Sequence, residues 1–166
     1  MNVPSEKLKF VNGLIPAEQT DAGHETDIVN MENYKKCTFV IITGVAAANA
    51  PVVTVNAGVD NVTCATPIVF KYRTQIAAVP PNVGSDVPIT LTDALVAGFA
   101  MITALEGGIY IVEVDAAVVA AGIANGDHCS LEITQDGATH AVHNYCILAI
   151  LSEPRYAQDI LATAID

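Results

Sequence analysis

Long stretches of this 166-residue chain carry no charge at all, although they read as β-strand. Nothing is charged from Cys37 to Val59, from Thr74 to Ser85, from Ala94 to Leu105, or from Gly137 to Ser152. Only 15% of all residues are Asp, Glu, Lys or Arg, against about 25% in an ordinary globular domain. An antiparallel sheet with one wet face shows polar side chains at every second position. Here those positions hold mainly Thr, Asn, Ala, Val and Gly, which suit contact with other protein better than bulk water. The expectation is a component of an assembly.

Short β-like runs recur along the chain with turn signals between them. Thr38–Thr43 is closed by Gly44, and Val52–Ala57 is followed by the turn Gly58-Val59-Asp60-Asn61. In Ile68–Gln75, Lys71 and Arg73 share one face with Val69 while Phe70 and Tyr72 share the other with Ile68. Pro80–Gly84 is a loop, Phe99–Ala104 another strand, and Gly107-Gly108 turns the chain into Ile109–Asp115. Asp115 is placed to cap a helical turn through Ala116–Ala121 that ends at Gly122. Ser130–Thr134 and Tyr145–Leu151 supply the last strands. About eight strands at regular spacing, with almost no amphipathic helix, give an all-β fold: an antiparallel β-sandwich, jelly-roll-like.

The whole chain, 1–166, reads as one domain: a body over 31–156 flanked by two less regular segments. In the first thirty residues Lys7–Leu14 forms one strand that Pro16 stops, and Ala17–Thr26 is a polar, acid-rich arm or loop. With so little core of its own, this N-terminal arm is expected to be removable without loss of the fold. The tail 157–166 follows Tyr156, which has Ile160, Leu161 and Ala164 after it at helical spacing. Phe10, Val11, Leu14, Ile15 and Ile28 in the arm, with Tyr156, Ile160 and Leu161 in the tail, are the candidate contacts to neighbouring subunits.

Charge and chemistry narrow the function. A net charge of −11, from 18 acids against 7 bases, repels phosphate, so neither nucleic acid nor an anionic membrane is an expected partner. Met1–Phe10 alternates charge with hydrophobe where a signal peptide would be apolar, so export by a cleaved signal is not expected. Cys37, Cys64, Cys129 and Cys146 are widely spaced in apolar surroundings and read as free buried thiols. His140, His143 and Cys146 alternate faces on a strand and cannot converge on a metal. His128 beside Cys129 points away from it, so the two form no nucleophile pair. Glu113 and Asp115 share one strand face, but no Trp is present to stack a sugar against them. Asp21, Glu25, Asp27 and Glu32 do not fit a calcium loop, and no phosphate-binding glycine loop occurs. The residues therefore predict no catalytic, cofactor or metal site, and no enzyme.

Several phrases resemble a family of small virion proteins encoded beside the major capsid protein of tailed bacteriophages. They are Val11–Pro16 (VNGLIP), Thr26–Met31 (TDIVNM), Phe70–Arg73 (FKYR), Ile109–Asp115 (IYIVEVD) and Ile147–Tyr156 (ILAILSEPRY), and together they run over nearly the whole chain in order. The resemblance implies a capsid decoration or cement protein on the outer surface of the head, made in the host cytoplasm. Its implied partner is the major capsid protein, and its implied state a homo-oligomer, a trimer. Two other readings stand beside it: a head–tail joining or tail structural protein, and a β-sandwich module that binds carbohydrate or a host surface.

Overall fold

A computed structural model describes residues 7–19, 23–44, 50–75, 90–102, 107–134 and 143–155. The chain runs through β1 (Lys9–Gln19), β2 (His24–Glu25), β3 (Val29–Asn30), β4 (Tyr34–Thr43), β5 (Val52–Gly58) and β6 (Cys64–Pro67). It continues through β7 (Phe70–Gln75), β8 (Thr92–Ala94), β9 (Phe99–Ala100), β10 (Ile109–Asp115), helix α1 (Ala116–Gly122), β11 (His128–Thr134) and β12 (His143–Pro154). Two antiparallel sheets result. The first has the order β1-β12-β4-β10-β7-β8; the second has β2-β11-β5-β6, with β3 also on β11 and β9 also on β5.

The pairing is nested. The first strand pairs with the last, β2 and β3 pair with the penultimate strand β11, β4 pairs with β10, and β5 pairs with β6. A hairpin of hairpins folded over into two sheets in this way is a jelly roll. Strands β7 and β8 widen the first sheet beyond β10.

The core lies between the sheets and follows from strand alternation. Along β10, Tyr110, Val112 and Val114 point inward while Ile109, Ile111, Glu113 and Asp115 face out. The first sheet contributes Tyr34, Phe39, Ile41 and Ile147, and the second contributes Val53, Val55, Leu131 and Ile133, all buried. At one edge Tyr72 stacks on Phe99 with ring centroids 3.9 Å apart, and the Ile102 amide donates to the Tyr110 hydroxyl at 2.7 Å.

Two local expectations are met and one is refined. Gly107 takes a left-handed φ of 67°, and the Gly108 amide donates to Thr43 Oγ1 at 2.9 Å, which locks the turn into β10. Asp115 caps α1 by accepting from the Ala117 amide at 2.8 Å. Gly122, however, does not end the helix by a left-handed turn: Ile123 is extended, and the left-handed residue is Asn125 at φ 61°. Gly122 is needed for space, since a Cβ there would lie 2.3 Å from Ile68 Cγ2.

The first thirty residues are corrected more substantially. Lys9–Gln19 pairs within the first sheet, and His24–Glu25 and Val29–Asn30 pair within the second, rather than being held out as an arm. β1 continues past Pro16 to Gln19, absorbing the irregularity in register shifts between Asn12 and Leu14 and between Leu14 and Ala17. Further on, the Thr26 amide donates to the Leu131 carbonyl at 2.9 Å, and the Leu131 amide donates to Thr26 Oγ1 at 3.0 Å. Acid-rich composition concealed this, because Thr26 is one buried residue among exposed Glu25 and Asp27. The 157–166 tail lies outside the described residues.

Deleting residues 1–26 is therefore expected to cost the fold at least about 3 kcal/mol, from the loss of buried Val11 and of the strand pairing on β12 and β11. A urea titration followed by circular dichroism reads this directly. Gly98→Ala is the second expected loss, about 2–3 kcal/mol. Gly98 has φ 75°, and a Cβ there would sit 2.0 Å from the Val53 carbonyl oxygen.

Candidate functional site: the outer face of the first sheet

The side chains of the first sheet that point away from the core form ordered rows. One row crosses the sheet as Phe10, Ile150, Thr38, Glu113 and Lys71. The next runs Asn12, Leu148, Val40, Ile111 and Arg73. A third runs Cys146, Ile42, Ile109 and Gln75. Over β1, β12, β4 and β10 the centre of the face is thus apolar, with Asn12, Thr38 and Glu113 among the side chains around it. Phe10 is 49% exposed, Ile42 45% and Leu148 36%, while Val40, Ile109, Ile111, Cys146 and Ile150 are half-buried among them.

Charge rims the field, with Lys36 of β4 paired to Glu153 at 3.1 Å at one end. Lys71 pairs with Asp93, and Arg73 Nε lies 3.6 Å from Glu113 Oε1. These exposed pairs add little stability. They bound the apolar field on its β7–β8 side. Lys71, Asp93 and Glu113, with Lys36 and Asp115, also line a groove of about 530 Å³ whose apolar side chains are Val69, Phe70, Ala94, Leu95, Val114 and Val118 of α1.

The outer side of the second sheet is different in kind. Thr54, Asn56, His128, Ser130 and Glu132 occupy its outward positions on β5 and β11. Ser130 Oγ donates to Glu25 Oε1 at 2.5 Å, Asn56 Nδ2 donates to Glu132 Oε2 at 3.1 Å, and His128 Nδ1 lies 2.5 Å from Asp127 Oδ1. Cys64 sits beside this group and would be its nucleophile. Burial pushes its thiol up to about 12, nearby Cys129 adds to the rise, and the Ser130 hydrogen bond opposes it. A thiol so placed stays protonated at neutral pH. Among the described residues, no three His, Cys, Asp or Glu side chains are disposed to hold a metal ion.

The contact candidates divide. Phe10 and Ile15, 49% and 61% exposed, lie on the surface of β1. Leu14 is partly buried and packs against the core, and Ile28 is half-buried. Val11 is corrected: at 5% exposure it points into the chain's own core and cannot reach a neighbour. Tyr156, Ile160 and Leu161 lie outside the described residues. Val40, Ile42, Leu148, Ile150, Ile109 and Ile111 were missed as a surface. The available signal was their continuity: TFVIIT and CILAIL have apolar side chains on both faces of a strand, where a half-wet strand alternates. Glu113 and Asp115 do share a face, but Glu113 is engaged with Arg73 and Asp115 with the helix cap.

Between pH 7 and about pH 9 stability is expected to be flat, and above that to fall. The Cys64 thiol ordinarily titrates near 9 but holds its proton to about 12 when folded. Between those values the unfolded chain releases a proton that the folded chain keeps, which favours unfolding. Buried Tyr110 and Tyr145, whose hydroxyls are also raised by desolvation, act in the same direction. Unfolding midpoints from pH 7 to 11 measure the fall, and Cys64→Ala makes it shallower.

No family model matches the chain, and no curated protein matches it. Among solved structures it is similar to latent apple tyrosinase, at 13% identity and a TM-score of 0.31, over 83% of this chain and 28% of that one. A family two carbohydrate esterase from Cellvibrio japonicus follows at 10% identity and 0.21, over 89% and 34%. The infectious bursal disease virus Gt strain structure is similar at 8% identity and 0.27, over 96% and 44%. The chain spans less than half the length of each, and at such scores the likeness does not extend to function.

Proposed function

We propose that this protein is a structural component of a tailed-phage virion, a decoration protein that stabilises the capsid by bridging major capsid protein subunits on the outer surface of the head. It works as a homo-oligomer, a trimer, and needs no catalytic group. The observation that carries this reading is the aliphatic outer face of the first sheet, built from Phe10, Val40, Ile42, Leu148, Ile150 and Ile111. Burying such surface against a neighbour contributes roughly 25 cal/mol per Å². A cement protein acts by that means, holding adjacent capsomers together against the pressure of packaged DNA.

The asymmetry of the two faces supports the same reading. One outer face is largely apolar and suits protein contact, and the other carries Thr54, Asn56, Ser130 and Glu132, polar groups that hydrogen-bond locally, with Asn56 and Ser130 buried. The acidic balance of −11 keeps unattached copies soluble and away from DNA.

Two substitutions test the face. Ile42→Glu and Leu148→Glu place a carboxylate at positions 45% and 36% exposed, so each leaves the unfolding free energy within about 1 kcal/mol. Each is expected to weaken binding to capsids and self-association at least about thirtyfold, the effect of losing a 2 kcal/mol contact. Co-sedimentation with undecorated capsids and light scattering supply the readouts. Unchanged binding and unchanged oligomeric state in both variants would overturn the proposal. Electron microscopy of whole particles separates decoration, with copies over the whole head, from a joining protein confined to one ring.

A further inference from the structure

The groove beside the apolar field has its own chemistry. It forms where β10 passes into α1, and its apolar lining includes Val114 of β10, Val118 of α1, Val69 before β7 and Leu95 after β8. Leu95 is 72% exposed and Val69 44%, so part of that lining meets water. The volume of about 530 Å³ falls within the range of small-molecule sites, about 300–1,000 Å³, which are mainly apolar with a few placed polar groups.

The charges around the groove lie in cross-strand register. Lys36 is opposite Asp115, Glu113 is opposite Lys71, and Lys71 is opposite Asp93. Each base is matched already: Lys36 Nζ lies 3.1 Å from Glu153 Oε1, Lys71 pairs with Asp93, and Arg73 Nε lies 3.6 Å from Glu113 Oε1. Three bases thus meet four acids, Asp93, Glu113, Asp115 and Glu153, and the excess negative charge falls to Asp115. Asp115 Oδ1 accepts from the Ala117 amide at 2.8 Å, and among the described residues no base forms an ion pair with this carboxylate. The field at this end is negative. It holds the Lys36 ammonium above its ordinary range, through Glu153 first and then, against a desolvation effect, through Asp115 and Glu113.

We propose that the groove binds a small organic monocation, an amine whose ammonium sits against Asp115 and whose aryl or alkyl body lies on Val69, Leu95 and Val118. Removing the apolar body from water supplies most of the affinity. The ammonium adds selectivity, because it donates charge-assisted hydrogen bonds to the one carboxylate left without a basic partner. An anion of the same shape meets an excess of negative charge, and a neutral isostere leaves that carboxylate to water. Ile42 and Leu148, which carry the proposed capsid contact, are not part of the groove lining, so this site is independent of that reading.

Three compounds of one shape test the proposal on the full chain: phenylbutylamine, neutral phenylbutanol and anionic phenylbutyrate. Titrations followed by amide NMR spectra are expected to move the signals of Val69, Leu95 and Val118. The amine binds at least about threefold more tightly than the alcohol, the effect of a partly exposed ion pair, and the butyrate binds most weakly. Added salt narrows these differences. Asp115→Asn keeps the helix cap, since Asn caps as well as Asp; it is expected to weaken the amine about threefold and leave the alcohol unchanged. Leu95→Ser, at an exposed position, weakens all three compounds. Ile42→Glu leaves amine binding within about twofold while it tests the capsid contact, so the two readings fail separately. Equal affinity for amine and alcohol, tighter binding of the butyrate, signal changes confined to the Val40, Ile42 and Leu148 face, or undiminished amine binding by folded Asp115→Asn would each overturn the proposal. The first three outcomes are read on the unaltered protein, so they hold even if a variant fails to fold.

Discussion

Strands β4 and β12 lie side by side in the first sheet, and both are apolar on both faces. A strand presents its side chains alternately to the two sides of its sheet, so one core covers only half of what these strands carry. Tyr34, Phe39 and Ile41 on β4, with Ile147 and Leu151 on β12, meet the second sheet and disappear from solvent. Val40, Ile42, Leu148 and Ile150 take the opposite side in strict register with them. The neighbouring strands then extend the apolar field, β10 through Ile109 and Ile111 and β1 through Phe10, until the ion pairs that β7 makes with β8 and β10 close it on that side.

The same alternation governs the second sheet with a different outcome. Val53, Val55, Leu131 and Ile133 face inward, and Thr54, Asn56, Ser130 and Glu132 face out. Its outer groups hydrogen-bond to one another, and the Cys64 thiol beside them is held protonated by burial. Polar groups that satisfy each other in this way order a surface without activating any member for chemistry. The two sides of the sandwich are thus chemically unequal, one largely apolar and the other polar and locally hydrogen-bonded.

Much of this was legible in the residues. Alternation located most strands, Asp115 announced the helix cap, and Gly107-Gly108 announced the turn into β10. The contact candidates were less legible. Phe10 and Ile15 are on the surface, but Val11 is core, because period-two alternation separates neighbours that composition lumps together. The first thirty residues misled for a related reason. Their polarity suggested an arm, yet hydrogen bonds between Thr26 and Leu131 and the long pairing of β1 with β12 depend on backbone groups, which composition does not report.

Sequence by itself determined the class of the fold, the scarcity of charge, and the fact that TFVIIT and CILAIL hold more apolar surface than one core can cover. Only the tertiary structure decided that these two segments are neighbours, because their pairing joins residues about a hundred positions apart through backbone hydrogen bonds that any side chain permits. It alone placed the first strand against the last, which sets the jelly-roll nesting.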